Sequence, residues 1–580
     1  MASVVHRLQT LPFFNGFDRS TLDMIAEYGC WHSVAGGWRL FDQGATSERL
    51  YFLLSGRLVV IRKEDGEGDE AVIGYVRAGE PVGEMALLTG DRHSASVFAL
   101  RDSEVLSIER RDFAALLDDH ADLVGALAKL ALQRARGPLV GANALSARSA
   151  PRIFAVVASS PSIDPNAHAE ALARRIDEMG LRVLAMPVKD TAPDSYEFDR
   201  IEERHDIVIL AARVVDTSWY RFVLRHADRF LVLARRDARP PRPFPLVTAA
   251  GERARKFRLV DLVVLHEGPE RSSVADWLDA LSAARVFHCR GQRCVDRLAR
   301  VIAGRSVGMV LSGGGARAYA HIGAVKALRE YGVPIDLACG ASMGGIIAAC
   351  VAMGWSSEEI EERIKDAFVS SNPLGDYVLP VVAMTRGKRV EERLAKHFGD
   401  SLIEQIELPF FCVSSELTRG EAKIHRRGLL RDALRASVSL PGVMPPVVRE
   451  DHLFVDGAVI NNFPTDIMSA MHRGLTIGVD VARRGTISAE TFIDPPNFFQ
   501  WVFRHGFSAP PPIVPLLMRS ATARANNDLQ HRPDIAIAPA VRGVELRDWK
   551  KYDQAVADGY TETRKALDQY GPLLEIGQQG

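Results

Sequence analysis

Hydrophobic and polar positions alternate with a period of two over residues 40–109. The clearest segments are LYFLLS (50–55), RLVVIR (57–62) and AVIGYV (71–76), and glycines separate them. A period of two interrupted by glycines is typical of β-strands joined by turns. This region predicts an all-β roll.

The spacing of apolar residues becomes helical at Arg110 and remains so to Arg136. Leucines recur there every three or four positions, which predicts one amphipathic helix flanking the roll. The following residues, Gly137 to Ser149, are rich in Gly, Ala and Ser. Such a composition predicts a linker.

The middle of the chain alternates strand and helix patterns. Its predicted strands are IFAVVA (153–158), LRVLAM (181–186), DIVILA (206–211) and FLVLA (230–234). Strands that alternate with helices indicate a parallel sheet. The first turn, SSPSID (159–164), has no glycine and no Lys-Ser/Thr pair, so a scaffold is favoured over a nucleotide site.

A second α/β region begins at Ser306 with the strand pattern VGMVLS and continues to the C-terminus. It predicts a mainly parallel central sheet. The predicted fold is therefore multidomain, an all-β roll with flanking helices, a middle α/β region and a C-terminal α/β domain. The predicted boundaries are 1–136, 137–150 (linker), 151–300 and 301–580.

Composition excludes several classes of protein. In 580 residues, 47% are hydrophobic and 25% charged, as in globular proteins rather than disordered or coiled-coil ones. The formal net charge of -1 provides no global field for nucleic acid, so we expect no nucleic-acid partner. Six cysteines are too few and too scattered for a disulfide framework. Without a signal-peptide pattern at the N-terminus, the expected location is cytoplasmic.

A glycine-rich turn, Gly313-Gly314-Gly315-Ala316-Arg317-Ala318, follows the strand VGMVLS. Successive backbone N–H groups at such a turn bind either a pyrophosphate or a developing oxyanion. The spacing also satisfies a loose dinucleotide fingerprint, with Asp336 near the position of a ribose-binding acid. A hydride-transferring oxidoreductase is therefore one alternative.

The segment Gly340-Ala341-Ser342-Met343-Gly344 matches G-x-S-x-G between an apolar strand pattern and a helical one. This context exposes a serine on a sharp turn and favours nucleophilic catalysis over hydride transfer. The activating base is less obvious. His472, His505 and His531 follow the serine, but none lies in a strand-end turn. Asp456 does, at the end of a strand predicted over His452–Val455.

Four motifs, GGGARAYAHIG, GASMG, SVSLPGVMPP (437–446) and VDGAVINNFP, together resemble the patatin-like phospholipase family. The resemblance covers residues 306–537 and implies a Ser/Asp dyad that needs no cofactor or metal. It implies the following roles: Ser342 as nucleophile, Asp456 as base, the amides of Gly313, Gly314 and Gly315 as oxyanion hole, and Arg317 as support for that loop. Ala318 replaces the glycine that usually follows the arginine.

Residues 11–123 resemble a cyclic nucleotide-binding domain, through LPFFNGFDRSTL, LYFLLSGRLVVI and GEPVGEMALLTGDRHSASV. The resemblance implies that Gly83 and Glu84 contact a ribose and that cAMP or cGMP is the candidate effector. Its phosphate-binding arginine is displaced, because Arg92 comes one position early and His93 stands in its place. A neutral imidazole binds phosphate poorly. Nucleotide binding and a degenerate regulatory or docking module are both left open.

The combination of the two modules resembles the neuropathy target esterase family of lysophospholipases. It implies a phospholipid or lysophospholipid substrate and peripheral contact with the inner membrane face. Those relatives often carry a membrane anchor and several nucleotide modules, which we do not find here. The apolar segment Phe492–Met518 predicts either core or a lipid-facing rim. The remaining alternative is a cyclic-nucleotide or docking receptor with a weak hydrolase domain; the oligomeric state is not predicted.

Overall fold

The computed structural model describes most of the chain as two compact units, residues 1–299 and 300–580. The described residues are 2–9, 11–63, 70–135, 151–241, 244–246, 259–266, 274–370, 372–379, 381–482, 500, 503 and 532–578. The predicted linker, His505 and His531 lie outside them, as does Phe492–Met518 apart from Gln500 and Phe503.

The first unit begins with the predicted all-β roll. Its strands are β1 (Cys30–Val34), β2 (Arg39–Phe41), β3 (Arg49–Ser55), β4 (Arg57–Lys63), β5 (Glu70–Arg77), β6 (Pro81–Val82), β7 (Ser96–Ala99) and β8 (Ser103–Glu109). They form two four-stranded antiparallel sheets, β1-β8-β3-β6 and β2-β7-β4-β5. The accompanying helices are α1 (Ala2–Gln9), α2 (Arg19–Tyr28), α3 (Glu84–Thr89), α4 (Arg110–Asp119) and α5 (Ala121–Ala135).

The sequence predicts one helix from Arg110 to Arg136, and this prediction is wrong in one respect. The structure has two helices, α4 and α5, which are separated by a break at His120. The backbone of His120 is not helical, with φ −129° and ψ 83°. Its ring lies 2.9 Å from the Thr21 hydroxyl and 3.1 Å from the Met24 sulfur, both on α2. A tertiary contact therefore sets the break, and local spacing could not reveal it.

The rest of the first unit is a six-stranded parallel sheet in the order β10-β11-β9-β12-β13-β14. Its strands are β9 (Ile153–Ala158), β10 (Val183–Met186), β11 (Ile207–Arg213), β12 (Arg229–Arg235), β13 (Leu259–Leu265) and β14 (Arg285–Cys289). The helices are α6 (Pro165–Asp177), α7 (Ser195–Arg204), α8 (Ser218–His226), α9 (Val274–Leu281) and α10 (Gln292–Ala303), the last of which runs to the second unit. The parallel order confirms the predicted α/β region.

Cys289 and Cys294, at the end of β14 and the start of α10, form a disulfide. A bond of this kind is uncommon in the cytoplasmic location expected from the sequence, where thiols usually remain free. The other four cysteines are free, and three of them are buried.

The second unit has an eight-stranded, mainly parallel sheet in the order β19-β20-β17-β16-β15-β21-β22, with β18 paired to β17. Its strands are β15 (Ser306–Leu311), β16 (Leu337–Ala341), β17 (Phe410–Glu416), β18 (Glu421–His425), β19 (Val447–Arg449), β20 (His452–Asp456), β21 (Gly474–Val479) and β22 (Ile535–Ile537). The helices are α11 (Ala320–Glu330), α12 (Ser342–Ala352), α13 (Ser357–Ile364), α14 (Lys388–Phe398), α15 (Leu430–Ser437), α16 (Thr465–Met471) and α17 (Tyr552–Gln578).

The centre of this sheet is fully covered. Every residue of β15 and β16 is buried, as expected for parallel strands with helices on both faces. Helix α12 is also buried almost throughout, which explains the long apolar run that begins at Ala338. No helix in the described part of the chain is both long and apolar enough to cross a bilayer.

Candidate active site

The glycine-rich turn begins directly after β15 and lies against Ser342. A Cβ added to Gly313 would stand 2.9 Å from the Cβ of Ser342 and 2.5 Å from Oδ1 of Asn462. Gly315 has φ +57° and no room for a side chain, because a Cβ there would lie 2.3 Å from the carbonyl oxygen of Leu546. Glycine is required at both positions, so that the backbone can approach the serine closely.

The amides of this turn differ in their partners. The N–H of Gly313 donates to the carbonyl oxygen of Asn462 at 3.3 Å. Gly314 and Gly315 instead open the 3₁₀ helix Gly315–Tyr319, and the first N–H groups of a helix have no acceptor within it. The Arg317 N–H donates to the carbonyl of Gly314 at 3.2 Å, which closes the turn.

Ser342 occupies the sharp turn between β16 and α12. Its φ is +53°, in the left-handed region that is unfavourable for a residue with a side chain. The backbone N–H of Ser342 donates to the hydroxyl of Ser437 at 2.9 Å, and that hydroxyl donates to the carbonyl of Val413 at 2.7 Å. The turn therefore places the serine hydroxyl at the carboxyl end of the sheet, and Ser437 holds its backbone there.

The carboxylate of Asp456 lies beside this hydroxyl. Ser342 Oγ donates to Asp456 Oδ2 at 2.7 Å, although 114 positions separate the two residues. The N–H of Ala458 donates to Asp456 Oδ1 at 2.9 Å. Asp456 also ends β20, whose pairing with β17 sets it opposite Ser414. The sheet thus brings together two residues that the sequence places on separate strand-end turns.

Burial dominates the electrostatics of Asp456, which is 1% exposed. Desolvation raises the pKa of this carboxyl to about 6, and the hydrogen bonds from Ala458 and Ser342 oppose the rise. The group is still ionised at neutral pH. A carboxylate with this pKa is a better proton acceptor than an exposed aspartate.

One histidine near the turn was not singled out from the sequence. His321, in α11, is fully buried, and its Nε2 lies 2.8 Å from the carbonyl oxygen of Ser312. Because a carbonyl can only accept, Nε2 carries the proton and donates. Burial lowers the pKa of His321 to about 4, so the ring is neutral. The ring therefore fixes the residue that precedes Gly313.

Two residues do not take part in this site. His472 is buried at the opposite end of β15, where its ring lies 3.1 Å from the Ser306 hydroxyl. Asp336 forms a salt bridge with the guanidinium of Arg300, with a nitrogen–oxygen distance of 2.7 Å, and is 0% exposed. An aspartate held in this way does not contact a ribose, which argues against the dinucleotide alternative. The described residues contain no cluster suited to a metal ion.

The nucleotide-site residues lie together in the roll. Gly83, with φ +91°, precedes α3, and Glu84 is 2% exposed at its first position. Arg134 of α5 donates to Glu84 Oε1 at 2.7 Å, so the carboxylate is already paired. This arginine was not predicted as a site residue, because it lies some 50 positions from Glu84.

At the phosphate position, His93 stacks on Phe41 with ring centroids 3.9 Å apart. Burial lowers the pKa of His93, which keeps the ring uncharged. Its ring also lies close to Gly83, where an added Cβ would be 3.6 Å from Cε1. The Arg92 guanidinium is exposed and donates to the carbonyl of Gly44 at 2.8 Å.

Comparisons with known proteins agree with the two predicted domains. Residues 309–469 match the patatin-like phospholipase family, and residues 31–120 match the cyclic nucleotide-binding domain. The fold and site thus define a lipid ester hydrolase of the patatin-like class, joined to a cyclic nucleotide-binding domain.

An uncharacterized NTE family protein of Mycobacterium tuberculosis strain H37Rv is 32% identical over 98% of this chain and 97% of its own length. The chain belongs to the NTE family, that is, to the relatives of neuropathy target esterase. Patatin-like phospholipase domain-containing protein 6 of Mus musculus is 28% identical over 80% of this chain, which spans 39% of the mouse protein. The regulatory domain of Toxoplasma gondii PKA with cAMP has 21% identity over 22% of this chain, with a TM-score of 0.21.

Proposed function

We propose that this protein hydrolyses carboxylic ester bonds of phospholipids or lysophospholipids, with Ser342 as nucleophile and Asp456 as base. The observation that carries the proposal is the 2.7 Å hydrogen bond from the serine hydroxyl to a buried carboxylate. A serine hydroxyl is a weak nucleophile until a base takes its proton. Asp456 is the group in position to accept it.

In the first half-reaction Ser342 Oγ attacks the ester carbonyl while its proton passes to Asp456 Oδ2. The tetrahedral intermediate then expels the alcohol, a glycerol derivative, which leaves with the proton from Asp456. An acyl-serine remains. In the second half-reaction water gives its proton to Asp456 and attacks the acyl carbonyl; the fatty acid leaves, and the proton returns to Ser342.

The oxyanion of each tetrahedral intermediate needs donors. We assign this role to the amides of Gly314 and Gly315, because the amide of Gly313 already donates to Asn462. The positive end of a helix adds to their effect. One such donor contributes about 10² to 10³ in rate. Gly313 then acts by permitting close approach to Ser342.

The N-terminal module, in this proposal, binds cAMP and cGMP weakly and acts in regulation or docking. Glu84 is paired with Arg134, and the phosphate position holds an uncharged imidazole rather than a guanidinium. A nucleotide would have to share the Glu84 carboxylate with Arg134 and bind phosphate without the usual cation. Calorimetry on the full chain is expected to give dissociation constants weaker than about 1 mM, equivalent to about −4 kcal/mol. Micromolar binding of either nucleotide would overturn this assignment.

Release of fatty acid from lysophosphatidylcholine and phosphatidylcholine tests the enzymatic proposal. The wild type is expected to release fatty acid, whereas Ser342→Ala and Asp456→Asn lose the activity and keep the circular dichroism spectrum of the wild type. The exposed Asp451→Asn is the matched control for the second variant. Wild-type turnover by Asp456→Asn would refute the dyad.

A further inference from the structure

The second unit exposes an apolar hairpin that the proposed reaction does not use. We define it as residues 377–379 and 381–385. Tyr377 and Thr385 form an antiparallel bridge, and the Val378 N–H donates to the carbonyl of Met384 at 2.9 Å. These two contacts join the described strands of the hairpin.

The side chains at the tip of the hairpin are large, apolar and exposed. Leu379 is 82% exposed, Val381 93% and Val382 67%. Single exposed apolar residues are ordinary, but three within four positions of one loop form an unusual local concentration of exposed apolar surface. Exposed apolar surface of this kind marks a site that contacts a protein or a membrane.

Cations flank this patch on the chain that leaves the hairpin. Arg386, Lys388 and Arg389 are exposed. Asp376, which precedes the hairpin, caps α14, since its Oδ2 accepts from the N–H groups of Lys388 and Arg389. Apolar side chains beside exposed cations suit the boundary between acyl chains and anionic headgroups.

The stem of the hairpin is joined to the segment that positions the proposed dyad. The N–H and the hydroxyl of Thr385 both donate to the carbonyl of Val443, at 3.0 and 2.8 Å, and the Met384 N–H donates to Gly442. Thr385 is itself buried, at 2% exposure. The apolar tip is therefore held on a rigid base.

The same short segment contacts both members of the dyad. Ser437 accepts from the N–H of Ser342, and the carbonyl of Ser439 accepts from the N–H of Asp456 at 2.9 Å. Gly442 and Val443, which hold the hairpin, follow within a few residues. The exposed tip is thus continuous in structure with the proposed site of ester cleavage.

We propose that this hairpin is the membrane-contacting element of the enzyme and inserts Leu379, Val381 and Val382 into a bilayer that contains anionic phospholipid. The inference rests on the proposed function, because it supplies the surface from which a lipid substrate reaches Ser342. The occupant is a lipid surface rather than a protein, since the patch combines apolar insertion with flanking positive charge beside a site for lipid esters.

Vesicle binding by the full chain tests the inference. The probe is sedimentation with vesicles of equal parts phosphatidylcholine and phosphatidylglycerol, and the chain carries Ser342→Ala so that no lipid is consumed. Val381→Asp and Val382→Asp are expected to weaken binding about tenfold each. Each substitution removes a valine side chain that would otherwise be buried in the acyl region. Val215→Asp, an equally apolar residue 57% exposed in the first unit, is the matched control and leaves binding unchanged.

A second arm examines charge. Lys388→Gln is expected to weaken binding to the anionic vesicles and to leave binding to pure phosphatidylcholine unchanged, and high salt reduces the difference. Hydrolysis of a short-chain, water-soluble ester by chains that retain Ser342 separates this inference from the proposed function. The hairpin variants keep that activity, whereas Ser342→Ala abolishes it.

The inference is overturned by a lack of vesicle binding by the starting chain, by equal binding by the hairpin variants, or by the same loss in Val215→Asp. A wild type that is dimeric by light scattering, with monomeric hairpin variants, would assign the patch to a second copy instead. Failure of the wild type to cleave the soluble ester would overturn the proposed function and leave the vesicle result to stand by itself.

Discussion

The hydroxyl of Ser437 lies 2.9 Å from the backbone nitrogen of Ser342 and accepts its hydrogen bond. The same hydroxyl donates to the carbonyl of Val413 on β17. One buried side chain therefore links the strained turn of the proposed nucleophile to the end of α15 and to the neighbouring strand. The arrangement explains how Ser342 keeps a positive φ.

Substitution of Ser437 by alanine removes both bonds and leaves a buried N–H and a buried carbonyl without this partner. Such losses cost about 1 to 3 kcal/mol each. We expect a lower unfolding temperature in calorimetry and a fall in kcat for a soluble ester of about tenfold or more. Ser357→Ala, on a partly exposed surface position, is the control. Unchanged kcat in Ser437→Ala would show that the turn at Ser342 keeps its conformation without the hydrogen bonds of Ser437.

In the proposed mechanism, the pH dependence of ester hydrolysis follows from Asp456. Its base form must be ionised, and burial raises its pKa to about 6. The value of kcat/KM for a soluble ester is therefore expected to fall tenfold per pH unit below about 6, since the carboxylate is protonated there. The neutral His321, with a pKa of about 4, does not titrate in this range. A profile that is flat down to pH 4.5 would contradict Asp456 as the base.

The same burial makes Asp456 costly for stability. Because the folded-state pKa is raised from 3.8 to about 6, ionisation opposes folding at neutral pH by about 3 kcal/mol. Asp456→Asn is expected to raise the free energy of unfolding at pH 8, although it abolishes activity. The gain diminishes as pH falls through 6 and disappears below 4, where the wild-type carboxyl is protonated in both states.

Denaturant titrations at pH 8 and pH 4 measure this difference. Asp451→Asn, on the turn between β19 and β20, is exposed and serves as the control, with no comparable gain expected. A variant Asp456→Asn that is less stable than the wild type at pH 8 would show that the hydrogen bonds of the carboxylate outweigh its desolvation.

Gly313→Ala tests the close approach of the glycine-rich turn to the serine. The added methyl would lie 2.9 Å from the Cβ of Ser342, so one of the two must move. Displacement of a nucleophile by about 1 Å costs on the order of 10²-fold in rate. Gly571→Ala is the matched control, since a Cβ there meets nothing within 4 Å. Equal kcat values for the two variants would show that catalysis does not depend on the close approach of Gly313 to Ser342.

Local sequence predicted most of the fold because the signals are local. Strands β15, β16 and β20 and the turns that follow them are evident from apolar runs that lead to Gly313, Ser342 and Asp456. The helix break at His120 and the pairing of Glu84 with Arg134 depend on contacts with distant residues. Patterns of spacing do not contain this information.

The same limit applies to the candidate site. G-x-S-x-G and the Asp-Gly turn were visible, but their meeting depends on the order β20-β17-β16 in the sheet. Ser437 and His321 stand in motifs that were noted, yet their hydrogen bonds to Ser342 and Ser312 appear only when the elements are assembled. A polar residue within an otherwise apolar or glycine-rich motif is the signal that could have indicated them.

Covalent labelling with a fluorophosphonate tests the central claim most directly. The account predicts that the wild type at pH 8 gains one phosphonyl group, located on Ser342 by peptide mass analysis, as the serine oxygen displaces fluoride. Ser342→Ala is expected to remain unlabelled, and Asp456→Asn to label far more slowly. Undiminished labelling of folded Ser342→Ala, or a wild type that hydrolyses esters while Ser342 stays unmodified, would contradict it.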